Sequence, residues 1–329
     1  MPPLPPLPPI SLVLPTLSTL VLPAAGGAAL VMCLFLVLGR WAAALGSAVA
    51  VVVAFGWANY TFAALAWQNT GRYIPWKIEE PITAWHYLPR AALVLLIVGL
   101  VSRWLGLLAT HFLTKPGDNN PAAETIVRYW WLVNLVTWLP RIVAVAVTSG
   151  SLVSPQAAEF GEWVRPALAV TMLFSWMILD GIARAGAGCQ VAAYQSVIFF
   201  GAGTVLIYSG SERFMDIALI LSFAMFGIAV AAGVGKADSS GAVPAGIAFL
   251  PGLMLNGRIL LDSLHKVPLI SYWLIALAPL MLAPFVIPSL NRKTGWTVCI
   301  IRAVLVLTPV VIAVFITAQH EKLDYPGEW

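Results

Sequence analysis

Charged residues are scarce in this sequence. Asp, Glu, Lys and Arg make up 10% of the 329 residues, whereas hydrophobic residues make up 60%. A soluble domain carries roughly 25% charged residues, so this chain has too little polar surface to cover a water-soluble globule of its size. No basic run occurs, and the formal net charge is only +4. The composition therefore excludes a soluble globular protein and gives no support for nucleic-acid binding.

Cysteine and histidine are also rare, and neither is arranged for ligand chemistry. The cysteines are an odd number and lie in apolar stretches without metal-ligand spacing, so a disulfide framework is not expected. The histidines are too widely separated to suggest a pair that ligates haem. No cofactor and no metal site are therefore indicated. These residues are Cys33, Cys189 and Cys299, and His86, His111, His265 and His320.

The common motifs of soluble enzymes are missing. The sequence has no phosphate-binding Gly-Lys-Ser/Thr loop, no dinucleotide fingerprint opening a helix, no His-Glu-x-x-His and no Gly-x-Ser-x-Gly. No basic residue precedes Arg40, so the N-terminus does not have the positive region of a secretory signal. We therefore favour a non-enzymatic protein. Residues 1–18 are rich in proline and are predicted to form an extended leader before the first span.

Long apolar windows dominate the rest of the chain. A helix that spans a bilayer needs roughly 20 such residues, and about ten windows qualify, with a range of nine to eleven. This predicts an all-α, polytopic integral membrane helix bundle that forms a single domain over residues 19–318. The predicted spans are 20–38, 42–67, 90–112, 126–148, 163–185, 189–208, 213–234, 241–262, 268–287 and 294–317.

The segments between the spans are mostly short. Residues 68–89 are the longest polar connection and mix tryptophan and tyrosine with charges, which is typical of an interfacial loop. Residues 319–329 form a polar C-terminal tail. The 18 Lys and Arg residues divide equally between the two predicted membrane faces, so the positive-inside rule does not decide the orientation.

The eighth predicted span, 241–262, is interrupted by helix-breaking residues. Pro251 and Gly252 lie in its middle, and Asn256 follows one turn later. Proline removes a backbone donor, and a helix broken within the membrane must turn its freed groups toward protein or a water-filled cavity. We therefore predict a broken helix here and include these three residues among the candidates for a substrate site.

Arginine and aspartate inside the predicted spans are the other candidates. Arg103 lies too far from both ends of its span for easy snorkelling, and His111 follows on the same helical face. This pattern indicates either an anion contact in a polar pathway or a structural ion pair with a neighbouring helix.

The fourth span carries a polar stripe at helical spacing. Asn134, Thr137, Trp138 and Arg141 fall at positions i, i+3, i+4 and i+7, which is one helix face. Arg141 is about 10 Å from the end of its span, so we expect its side chain to snorkel to the surface, and a polar pathway that includes Asn134 and Arg141 is the alternative.

Asp180 is the one acid placed well inside a predicted span. Arg184 follows at i+4 and is its natural partner, and Arg103 or Arg141 are further candidates for the same carboxylate. Structural pairing is the default interpretation, and a proton or substrate relay through Asp180 is the alternative.

Small residues recur in spans five to seven. Gly227, Ala231 and Gly235 are four apart in span seven, for example. Such faces let helices approach closely, which predicts that spans five to seven form a compact group.

Three functions fit these features. The first is a transporter or channel for an unidentified small solute, and the second is a non-catalytic subunit that anchors or scaffolds a larger membrane complex. The third is a membrane enzyme that acts on a lipid-like substrate. In each case we expect a multi-pass protein of a bacterial plasma (inner) membrane, surrounded by lipid and able to associate with protein partners or with copies of itself.

Overall fold

The computed structural model describes residues 17–39, 42–66, 87–113, 121–153, 162–184, 188–209, 211–261, 267–287, 290 and 295–324. These residues are almost entirely helical and contain no strand. Eight of the helices are long and apolar enough to cross a membrane. The prediction of an all-α polytopic membrane bundle is therefore confirmed.

Each predicted span corresponds to one helix of the described chain. The first and ninth change type along their length: α1 begins as a π-helix, and α9 ends as a 3₁₀-helix. The helices are α1 (Leu17–Gly26, continued by Gly27–Val37), α2 (Ala43–Ala66), α3 (Tyr87–Leu113), α4 (Pro121–Leu152), α5 (Val164–Ile182), α6 (Gly188–Tyr208), α7 (Glu212–Gly235), α8 (Val243–Leu261), α9 (Leu269–Leu277, continued by Ala278–Val286) and α10 (Trp296–Asp324).

Consecutive helices run in opposite directions. Gly203 near the end of α6 faces Leu219 in the first half of α7, and Gly233 near the end of α7 faces Cys189 at the start of α6. We call face A the end of the bundle where α5 ends and α6 begins. Face B is the opposite end, where α6 ends and α7 begins.

Helix α8 lies at the centre of the bundle and is continuous. It runs without interruption through Pro251 and Gly252, so the prediction of a broken helix in this segment is wrong. Pro251 removes only one backbone donor, and the Asn256 side chain donates a hydrogen bond to the Gly252 carbonyl (2.8 Å) within the same helix. Residues 243–254 are all buried, because α8 is surrounded by other helices.

The discontinuity occurs instead in α9. Pro279 has no N–H for the Ile275 carbonyl, and the Ala278 N–H bonds to that carbonyl instead. From there the chain continues as a nine-residue 3₁₀-helix, Ala278–Val286, which contains Pro284 as a second proline. Such helices rarely exceed three or four residues, and long ones mark strain or a hinge.

The small-residue face of α7 does not hold spans five to seven together. A Cβ at Gly227 would overlap the Ala25 carbonyl, and one at Gly235 would lie 2.6 Å from Leu36, so this face contacts α1. Helices α6 and α7 do contact each other closely, whereas α5 instead lies against α4, α8 and the 3₁₀ segment of α9. The prediction of one compact group was therefore wrong for span five.

Several sequence predictions fall outside the described residues. These are most of the leader, the interfacial loop up to residue 86, and residues 325–329. Helix α3 begins at Tyr87, within the predicted loop, and α10 continues to Asp324, beyond the predicted end of its span at residue 317.

Gly241, in the short 3₁₀ turn that leads into α8, provides a test of the close contact between this end of α8 and α2. A Cβ at this position would overlap the Ala44 carbonyl of α2, which is backbone and cannot turn away. We therefore expect Gly241→Ala to lower the free energy of unfolding by about 1–3 kcal/mol. Gly150→Ala is the matched control, because no atom lies within 4 Å of its added methyl. Thermal denaturation in detergent should give a lower midpoint for the first variant alone, and equal midpoints would contradict the close contact.

Candidate functional site

A group of charged and hydroxyl side chains lies inside the bundle toward face A, in two hydrogen-bonded sets that meet at the consecutive residues Ser102 and Arg103 of α3. Its members come from α3, α4, α5 and the connection between α7 and α8, so four separate segments contribute. We call this group the polar cluster. It consists of Ser102, Arg103, Arg141, Asp180, Arg184, Asp238 and Ser240.

The centre of the polar cluster is a buried ion pair between α4 and α5. Arg141 Nη1 lies 2.6 Å from Asp180 Oδ2, and the side chains are only 2% and 6% exposed. Arg141 Nε also donates a hydrogen bond to Ser102 Oγ of α3 (2.8 Å). Charges so deeply buried need a partner, and this one pair joins three helices.

Two tryptophans enclose the Arg141 guanidinium. Its carbon lies 4.7 Å from the ring centre of Trp138 and 5.0 Å from that of Trp176. Both distances allow cation–π attraction. The prediction that Arg141 snorkels to the surface is therefore wrong, since an acid and two aromatic rings hold it inside the bundle.

Asp180 is shared between two arginines. Its Oδ2 also accepts a hydrogen bond from Arg184 Nη2 at 2.7 Å, as the i, i+4 spacing predicted. The Arg184 side chain is 45% exposed, whereas Arg141 is buried. One carboxylate thus links the bundle interior to face A, and these three residues together carry one net positive charge.

Arg103 pairs with Asp238, which is not among the partners predicted from the sequence. Its Nη2 lies 2.6 Å from Asp238 Oδ2, and its Nη1 donates a hydrogen bond to Ser240 Oγ. Asp238 Oδ1 accepts a hydrogen bond from the Ser240 backbone N–H (2.8 Å), which fixes the turn before α8. The structural ion pair weighed for Arg103 is present, but its partner lies in a loop rather than on a helix. The only indication of this pairing in the sequence is that Asp238 is an acidic residue in the polar loop 236–240.

The remaining candidates lie outside the polar cluster. His111 and Asn134 are exposed on α3 and α4. Asn256 is fully buried, and its Nδ2 donates to the Leu152 carbonyl at 3.1 Å, which ties α8 to the end of α4. A Cβ at Gly252 would lie 2.5 Å from the Leu88 side chain, so this glycine permits the close approach of α3.

A second feature is an apolar groove at face B. It is a cavity of about 160 Å³ between the start of α5, the second half of α8 and the start of α9, and Arg258 lies on its wall. We call it the groove. Its walls include Leu168, Thr171 and Pro251.

Behind the groove lies a much smaller cavity, which we call the inner pocket. Its volume is about 10 Å³, close to the minimum that holds one water molecule. Gln195 Oε1 is buried there without a hydrogen-bond partner among the described residues. Pro251 and Ala276 line both the groove and the inner pocket, so the two cavities are neighbours. Ala276 and Pro279 flank the discontinuity of α9, which therefore borders the inner pocket.

Helix α5 runs past all three features. Leu168 and Thr171 line the groove, and Ser175 lines the inner pocket. Asp180 then lies in the polar cluster, about 13 Å along the helix from Thr171. The groove, the inner pocket and the polar cluster thus follow one another along this helix from face B to face A, and Asp180 projects from a different side of it than Thr171 and Ser175.

The fold and these features define the class of the protein as a multi-pass, all-α integral membrane protein. No protein family, curated protein or solved structure matches the chain. Among the residues that the structure describes, no group of three or more His, Cys, Asp or Glu side chains could hold a metal ion. The geometry of the polar cluster and the two cavities is therefore the evidence that bears on function.

The shared carboxylate predicts unequal effects of mutation. Asp180→Asn leaves the Arg141 charge buried without a counter-charge, and we expect it to lower the free energy of unfolding by about 3–5 kcal/mol. Arg184→Gln removes the exposed partner and should cost about 1 kcal/mol or less. Thermal denaturation of the purified variants measures both effects.

A double variant tests whether the loss of stability comes from an unpaired buried charge or from altered packing at Arg141 and Asp180. Arg141→Met combined with Asp180→Leu replaces both charges with apolar groups, which should restore most of the stability lost in Asp180→Asn. If the double variant is as unstable as Asp180→Asn, the loss does not arise from an isolated buried arginine.

Proposed function

We propose that this protein is a transporter for a small solute, which moves along α5 between the groove and the polar cluster. The observation that carries the proposal is the position of the α9 discontinuity at the inner pocket. In transporters, broken helices provide backbone groups to a substrate site near the middle of the membrane. The sequence predicts a break in α8, whereas the structure has a change from α- to 3₁₀-helix in α9, and this change supports the same function from a different helix.

The two ends of this route differ in character. At face B the groove offers an apolar entrance of about 160 Å³. At face A the polar cluster is partly exposed through Arg184, and through Arg103 and Asp238, whose side chains are 30% and 25% exposed. Between them the inner pocket has room for one water-sized group. This arrangement fits a conformation that is closed on both sides, as alternating access requires at one stage of its cycle.

The polar cluster provides a means of coupling solute to conformation. Asp180 Oδ2 contacts both Arg141 and Arg184, so a solute group that takes the place of one contact shifts the balance between them. Because these three residues carry one net positive charge, an anionic solute group is favoured near face A. Protonation of Asp180 is the alternative event that would release both arginines.

We also propose that the transporter lies in a bacterial plasma (inner) membrane. The spans of bacterial outer-membrane proteins are β-strands in closed barrels, whereas the described spans here are helices.

Access to the inner pocket can be tested without knowing the solute. In a variant that lacks the three native cysteines, Ser175→Cys places a thiol at the inner pocket. Because the pocket must open to water in a transport cycle, we expect a small charged methanethiosulfonate reagent to label this thiol in proteoliposomes. Mass spectrometry of the intact protein measures the labelled fraction.

Met172→Cys is the matched control, because Met172 is a fully buried residue of the same helix that lines neither cavity. It should remain unlabelled. Ala276→Leu, which fills the wall between the two cavities, should slow labelling of the Ser175 thiol from face B. If Ser175→Cys is as inert as Met172→Cys from both sides, the inner pocket never opens. The role of a membrane scaffold would then be the better explanation.

A further inference from the structure

A second arginine lies buried in the bundle, outside the polar cluster and outside the proposed route. Arg302 is on α10, six residues after the start of the helix at Trp296, which places it about 9 Å inside face A. Trp296 is 84% exposed, whereas Arg302 is only 2% exposed. The guanidinium is therefore turned inward, toward α6 and the 3₁₀ segment of α9.

The contacts of Arg302 leave one edge of the guanidinium without hydrogen bonds. Nη1 donates to Gln190 Oε1 (3.3 Å), which Tyr194 also contacts through its hydroxyl (3.3 Å). The ring centre of Phe285 lies 4.7 Å from the guanidinium carbon and covers one face. Nε and Nη2 are buried without a hydrogen-bond partner among the described residues.

These two nitrogens form a recognition edge. The planar covalent structure of arginine makes the Nε–H bond and one Nη2–H bond point in the same direction. A carboxylate or phosphate engages such a pair through two parallel, charge-assisted hydrogen bonds. The neutral Gln190 amide oxygen accepts from the other nitrogen, Nη1, so this pair of donors has no hydrogen-bond acceptor among the described residues.

The described chain offers no counter-charge for Arg302. None of the ion pairs among the described residues includes it. The neighbouring sequences 185–187 and 288–294 contain neither Asp nor Glu. A buried charge needs a counter-charge or a set of hydrogen bonds, and the Arg141 guanidinium of the same bundle has both. The missing acceptor is therefore expected to come from outside the chain.

We propose that Arg302 is the anchor of an oxyanion-binding site between α6, α9 and α10, in which Gln190 and Phe285 orient the guanidinium. The ligand carries a carboxylate or phosphate group that accepts hydrogen bonds from Nε and Nη2. Because Arg302 lies about 9 Å inside face A, either a free anion or the phosphate of a lipid headgroup can supply that group. This site does not depend on the proposed transport route.

The test measures binding in two arms with the purified full-length chain. In the first, inorganic phosphate is titrated while the thermal midpoint is followed, since a ligand that binds the folded state raises that midpoint. In the second, native mass spectrometry compares retention of phosphatidylglycerol with that of diacylglycerol, which lacks the phosphate. Arg302→Gln should weaken binding about tenfold or more in at least one arm, and Arg302→Lys should do the same because it has no parallel pair of donors.

Two further variants make the result specific. Arg165→Gln removes an exposed arginine at face B and should leave both arms unchanged. Gln190→Glu places a carboxylate beside Arg302, so it should abolish binding while raising the midpoint measured without ligand.

The outcomes decide the proposal and the source of the anion. If Arg302→Gln loses binding only in the phosphate titration, the ligand is a free anion. If it loses binding only in the lipid measurement, the ligand is a lipid headgroup. The proposal is overturned if Arg302→Gln binds both probes as the unmodified chain does, or if the unmodified chain binds neither. It is also overturned if Gln190→Glu leaves binding intact.

Discussion

The enclosure of α8 is the constraint on which the rest of the bundle depends. Helix α8 contacts protein on every side. At the positions where neighbouring helices approach it most closely, it has small residues. Gly246 lies against the Gln195 amide, and Gly252 lies against Leu88. Larger side chains at these positions would separate α6 and α3 from the centre. Because α3, α5, α6 and α9 all contact α8, its small residues determine where the groove, the inner pocket and the polar cluster can form.

The ion pairs inside the bundle place a second constraint on it, because two of the three among the described residues join segments that are distant in sequence. Arg141 and Asp180 connect α4 with α5, and Arg103 and Asp238 connect α3 with the loop before α8. These contacts are directional, so they fix the rotation of the helices about their axes, which apolar contacts alone leave loosely defined. The same side chains that provide this structural order also provide the charges that a transported solute would meet.

The sequence predicted the helices well and their partners poorly. Span positions follow from the length of apolar windows, and the Asp180–Arg184 contact follows from spacing within one helix. Which helices pair depends on which helices are neighbours and on how each is rotated about its axis, and no local sequence pattern encodes either. The pairing of Arg103 with Asp238 was therefore not predicted, and Arg141 was expected at the surface. The break was assigned to α8 because Pro251 and Gly252 are adjacent there. In the structure the enclosure of α8 keeps it helical, whereas Pro279 and Pro284 of α9 act together to change the helix type.

The 3₁₀ segment of α9 also matches this helix to the thickness of the membrane. The 18 residues from Leu269 to Val286 would measure about 27 Å as an α-helix, less than the roughly 30 Å of a hydrocarbon core. A 3₁₀-helix rises about 2.0 Å per residue, so its nine residues extend the span to about 31–32 Å. A return of Ala278–Val286 to α-helical geometry would shorten the helix by about 4–5 Å. The segment that sets the length of α9 is therefore also the one that borders the inner pocket.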